Sequence, residues 1–110
     1  MKKFISTFIL FWSAGAFPAV EVSPSSKILK LISYAEYGGG DVQVMLETNG
    51  TVCADGYYLK KTDPGFDANL SMMLAAYHSI SNVVVDGHTD QKWAGSSGYY
   101  CHLYSVRYGY

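Results

Sequence analysis

A small, mostly β domain wrapped around one helix is the class this sequence predicts, and three observations predict it. The stretch Asp63–Ser79 (DPGFDANLSMMLAAYHS) is the one convincing helix, strand-like segments lie on both sides of it, and a single pair of cysteines, Cys53 and Cys101, spans the whole. The helix has a marked start. Asp63 suits an N-cap, and Pro64 suits the first helical position, where its missing N–H is no loss. Phe66, Leu70, Met73, Leu74 and Tyr77 then recur at steps of three and four, the stripe of an amphipathic helix. Between Asp67 and Asp86 there is no formally charged residue, and Ala68, Met72, Ala75, Ala76 and Ser79 fall on a second, small-residue face. That face is expected to be either a weakly polar surface or the contact with another copy of the chain.

The chain opens on an address. Lys2 and Lys3 form a basic start, Phe4–Trp12 is apolar, and Ala14-Gly15-Ala16 offers small residues for cleavage. Cleavage after Ala19 would put Phe17 where a small residue is preferred. The apolar run is shorter than the about 20 residues that span a bilayer, so export with removal is expected and a membrane anchor is not. Cleavage after residue 16 leaves 94 of the 110 residues with six basic and nine acidic groups, net −3. The expected location is the periplasm or the exterior. There an even pair of cysteines reads as a disulfide, and 47 intervening residues make the loop-closure contribution on the order of 4 kcal/mol.

Residues 17–26 read as a polar lead-in, and 27–110 as one domain. Lys27–Tyr37 is rich in Ile, Leu and Tyr and stops at Gly38-Gly39-Gly40. Asp41–Thr48 alternates, Val42, Val44 and Leu46 facing one way and Gln43, Met45 and Glu47 the other, as a half-buried strand does. Asn49-Gly50 is a strong hairpin signal, so Thr51–Leu59 should return antiparallel. After the helix, Val83–Val85 is a short buried strand, Asp86–Gly98 a polar loop or a hairpin tip, and Tyr99–Tyr108 a final strand. Three strands, a helix and two strands is the order of an OB-fold, a five-stranded Greek-key barrel with its helix between the third and fourth strands. The disulfide would tie the third strand to the last.

The spacing Cys53-x-x-Gly56-Tyr57-Tyr58-Leu59, Asp63-Pro64-Gly65, Leu70-Ser71-x-x-Leu74-Ala75-Ala76, Trp93, Cys101-x-Leu103 and Val106 resembles small exported bacterial proteins related to the B subunits of subtilase cytotoxin and pertussis-like toxins. The resemblance covers Lys27–Tyr108. It implies an OB-fold assembled as a ring of five, helices lining the centre, glycans bound outside, and in toxins a separate catalytic subunit. It also implies a sugar-binding serine just before the first strand, where Ser25 and Ser26 stand. The toxin subunits are longer and carry more cysteines, so a toxin role does not follow from the resemblance.

Ligands of OB barrels sit between the loops after the first and fourth strands, here Tyr37–Asp41 and Asp86–Gly98. The second loop holds Trp93 with Ser96 and Ser97, followed by Tyr99. An aromatic ring beside hydroxyl, amide and carboxylate groups suits a sugar, which stacks its apolar face and hydrogen-bonds its hydroxyls. Alternatively, the indole folds back over the barrel mouth. Ten tyrosines in so short a chain point toward binding surfaces. Nucleic acid fits poorly, because Lys27, Lys30, Lys60, Lys61, Lys92 and Arg107 are scattered in an acidic chain. Asp86-x-His88-x-Asp90 reads as turn chemistry rather than a metal site. His78 and His102 have no serine or cysteine nucleophile at informative spacing. A non-enzyme with no cofactor is expected: a binder of a glycan or glycoprotein surface, or alternatively a stand-alone protein-interaction module.

Overall fold

The computed structural model describes residues 19–109. The apolar address and its cleavage point at Ala16 lie outside the described residues. Six strands and one α-helix follow in order: β1 Val20–Val22, β2 Ser26–Ser33, β3 Val42–Leu46, β4 Gly56–Leu59, α1 Phe66–Ser79, β5 Asn82–Lys92 and β6 Tyr100–Arg107, with a 3-10 turn at Tyr37–Gly39. They form one sheet whose pairings run β1-β5-β2-β3-β4-β6, and β5 also pairs β6, so five of the strands pair in a closed cycle. Every pairing is antiparallel except β4 with β6. No helix among the described residues is long and apolar enough to cross a membrane.

The core follows from alternation. Val42, Val44 and Leu46 of β3 point into it with Tyr57 and Leu59 of β4, Val83 and Val85 of β5, and Leu103 and Val106 of β6. Each fully buried aliphatic side chain contributes about 1.5–3 kcal/mol relative to exposure. α1 closes this core with Phe66, Met73 and Ala76. Cys53 and Cys101 are bonded, with Cα atoms 5.4 Å apart, and both are fully buried. Gly87 lets β5 cross this crowded point, since a Cβ there would lie 2.8 Å from the Tyr57 ring and 3.1 Å from Cys101 Cβ.

Four local expectations are corrected. Part of the lead-in is strand: β1 runs along β5 with Glu21 opposite Gly87. Ser23 extends that contact by donating its N–H to Val85 O (2.8 Å) and accepting Val85 N–H on its hydroxyl (2.9 Å).

Asn49-Gly50 does not make a tight two-residue turn; residues 47–55 form a longer loop between β3 and β4. Asn49 turns inward on its own loop, its amide oxygen accepting Leu46 N–H and its nitrogen donating to Ala54 O. The Glu21 carboxylate accepts the N–H groups of Thr51, Val52 and Cys53 at 3.0–3.1 Å. Held to β1 by Glu21 and to β6 by the disulfide, the loop cannot shorten.

α1 starts at Phe66, and Asp63 is not its side-chain cap. The backbone carbonyl of Asp63 accepts Phe66 N–H (3.1 Å), while its carboxylate turns away to β6. The stripe is also rotated from expectation, because Leu74 and Tyr77 are 44 % and 43 % exposed whereas Ala76 is 1 % exposed.

Finally, Asp86–Lys92 is not loop but the second half of β5. The strand survives its polar composition because β6 and β1 pair it on its two sides.

Candidate functional site

On β6, Tyr100, His102 and Tyr104 alternate with the core residues Cys101 and Leu103, so they share the outer face. The strand register then brings other rings beside them. Parallel pairing sets Tyr58 of β4 opposite His102, and antiparallel pairing sets His88 of β5 opposite His102. A line of rings crosses three strands as a result. Tyr58 stacks on His102 (centroids 5.3 Å, planes 26° apart), and His88 lies 5.2 Å from His102. Tyr104 meets His88 edge-on at 5.1 Å, and at the other end Trp93 stacks on Tyr58 at 5.8 Å. The line runs from a buried end at Trp93 (3 % exposed) to an open end at Tyr104 (61 %).

The open end borders a groove of about 250 Å³ whose walls include Asp63, Gly65, Asn69, His88, His102 and Tyr104. The segment before α1 supplies one wall and β5–β6 the other. His102 is fixed from both sides: Nε2 lies 2.5 Å from Asp63 Oδ2, and Nδ1 lies 2.8 Å from Gln91 Oε1. Asp63 Oδ1 has no hydrogen bond to protein among the described residues. Burial first, and then the nearby carboxylates of Asp41 and Asp63, push the Tyr58 hydroxyl above the usual tyrosine range. It therefore stays a protonated, neutral support beneath His102 at physiological pH.

This set of groups can accept and donate hydrogen bonds beside an exposed ring. No serine or cysteine lines the groove, and no trio of His, Cys, Asp or Glu among the described residues is disposed to hold a metal. Asp86 is engaged with Ser105 and Arg107, both at 2.8 Å, rather than with His88.

The residues expected to bind a ligand are scattered. Trp93 is interior, with Nε1 donating to Asp41 Oδ2 at 3.1 Å and with Tyr34 and Tyr37 packed on it, both at 5.4 Å. The two expected loops do meet, but the indole fills the space between them instead of opening a stacking face. Ser96 is half-buried and accepts Gly98 N–H, while Ser97 is exposed; neither lines the groove. Tyr99 donates its hydroxyl to Thr89 O and its N–H to Asp55. Ser26 is buried and exchanges hydrogen bonds with the backbone of Thr48; Ser25 beside it is half-buried.

Of the helix residues expected at a contact between copies, Ala68 is exposed and Met72 is half-buried against the core. Ala76 is inside the protein's own core, which removes it from any contact between copies.

Asp63, Asn69, His102 and Tyr104 were not legible as one site. The alternation of β6 places His102 and Tyr104 on a common face, but only the parallel pairing with β4 and the approach of α1 bring Asp63 and Asn69 to them.

Known proteins offer no guide: no family model matches the chain, and no curated protein and no solved structure matches it.

Proposed function

We propose that this chain is an exported glycan-binding module without catalysis, built as an OB-like Greek-key barrel of the kind found in toxin B subunits. The barrel reading is supported by the cycle of five pairings and by a single helix between the third and fourth strands of that cycle. The binding reading is carried by one observation: a line of ring contacts ends at exposed Tyr104, beside a carboxylate and an amide in a groove between α1 and β5–β6. Apolar ring plus converging polar groups is how sugars are held.

The test is a glycan array probed with the mature chain, together with its mass under native conditions. Saturable binding to a defined set of glycans supports the reading; silence across the array removes it. A ring of five would fit the outer side of α1, which beyond Asp67 is uncharged and exposes Ala68, Ser71 and Ala75.

A second reading is a protein-interaction module. It is favoured by a wider groove of about 400 Å³ at the far end of α1, walled by Leu29, Tyr77 and Ile80, of which Leu29 and Ile80 are 60 % and 68 % exposed. Capture of one specific protein, with no response to sugars, would favour this reading over the first.

A further inference from the structure

Resting on the glycan-binding reading, we infer that the groove between α1 and β6 takes a single terminal, uncharged hexose, gripped through two neighbouring hydroxyls by Asp63 and Asn69. Size sets the first limit. At about 250 Å³ the space falls below the about 300–1,000 Å³ of sites that bury a drug-sized molecule. It holds one pyranose ring, with the rest of a glycan left in solvent.

Charge sets the second. None of the side chains lining the groove is lysine or arginine. Of the basic groups near it in sequence or on the same strand, Lys61 lies over the Phe66 ring at 5.1 Å, Arg107 pairs with Asp86, and Lys60 is not among the lining residues. An acidic sugar would bring its carboxylate against Asp63 with no lysine or arginine on the walls, only the imidazoles of His88 and His102, to offset the repulsion. A neutral sugar brings only hydroxyl donors, which a carboxylate accepts well.

Geometry sets the third. Asp63 is held at Oδ2 by His102, so Oδ1 is presented in a fixed direction without the freedom a surface carboxylate has. Pre-orientation of this kind lowers the ordering loss on binding. Asn69, four residues into α1, supplies an amide that both donates and accepts, so the pair can read adjacent hydroxyls. Tyr104, exposed and braced edge-on by His88, offers its ring to the apolar side of the pyranose.

The test uses the mature full chain on an array that contains matched glycans ending in neutral hexoses, in sialic acid and in uronic acid, followed by calorimetry with the methyl glycoside of the best neutral hexose. Selective binding to neutral termini is expected, weakened at least tenfold by Tyr104→Ala and by Asp63→Asn. Tyr104 is exposed, so its variant keeps the fold even if that of Asp63 does not. Binding to acidic termini, or neutral binding unmoved by Tyr104→Ala, overturns this inference and leaves glycan recognition standing. Absence of any sugar binding overturns both.

Discussion

Asp63 and His102 are 39 residues apart in sequence and 2.5 Å apart in space, and the pair joins the entry of α1 to the last strand. The residue best placed in sequence to cap the helix is thus used to fasten it. Their side chains are 31 % and 13 % exposed, so solvent only partly screens the contact. Losing a hydrogen bond to a charged group of this kind costs about 1.5–3 kcal/mol.

Asp63→Ser distinguishes fastening from capping. Serine caps as well as aspartate does, so a capping role would make the change nearly neutral. Fastening predicts that Asp63→Ser lowers stability about as much as Asp63→Ala, by about 1.5–3 kcal/mol. Denaturant melts of the two variants decide it, and a neutral serine variant rejects the fastening role.

Trp93 and Asp41 supply a second measurement. Asp41 is 4 % exposed and its carboxylate is satisfied by Trp93 Nε1 and by Lys61 N–H. Trp93→Phe keeps most of the packing and removes one donor from a buried charge. A loss of about 1–3 kcal/mol is expected, read as a lower Tm, with sugar affinity little changed. Loss of affinity at unchanged Tm would instead restore the indole as the ligand's platform.

Ile80 offers a gain. It sits at φ 55°, ψ 45°, the left-handed position of a Schellman motif, with Ser81 N–H reaching Ala76 O at 2.9 Å. A β-branched residue is strained there, and this one buries little, being 68 % exposed. Ile80→Asn or Ile80→Gly is expected to stabilise the monomer by about 1 kcal/mol, measured by thermal melt. If the same change abolishes capture of a protein partner, the strain is kept for that contact.

The tyrosines give a pH test. Burial holds the hydroxyls of Tyr57, Tyr58 and Tyr100 above the ordinary value of 10.0. Between the unfolded and folded values the native chain binds more protons than the unfolded one. Stability from these groups is therefore complete below pH 10 and lost as pH rises through the folded values. Absorbance titration should resolve a late-ionising class, and melts above pH 10 should show falling Tm. A single tyrosine class titrating near pH 10 would contradict the buried placement.

What the amino-acid sequence determined by itself is the helix, the order of five strands around it and much of the core, but not β1 or the second half of β5. Val42, Val44 and Leu46 face inward because alternation is a property of any strand, and a helix begins near Asp63 because Pro64 and the spacing of Phe66, Leu70 and Met73 are local signals. Two cysteines allow only one pairing, and they make it. Tertiary structure decided where the side chains with two plausible uses went. Asp63 could cap or reach across, and His102 drew it across; Trp93 could lie open or fold in, and buried Asp41 drew it in. The Asn49-Gly50 turn yielded to Glu21 and the disulfide, which hold a longer loop. Local preferences of this kind are worth about 1 kcal/mol, less than a buried charge left without a partner, so contacts between distant residues override them.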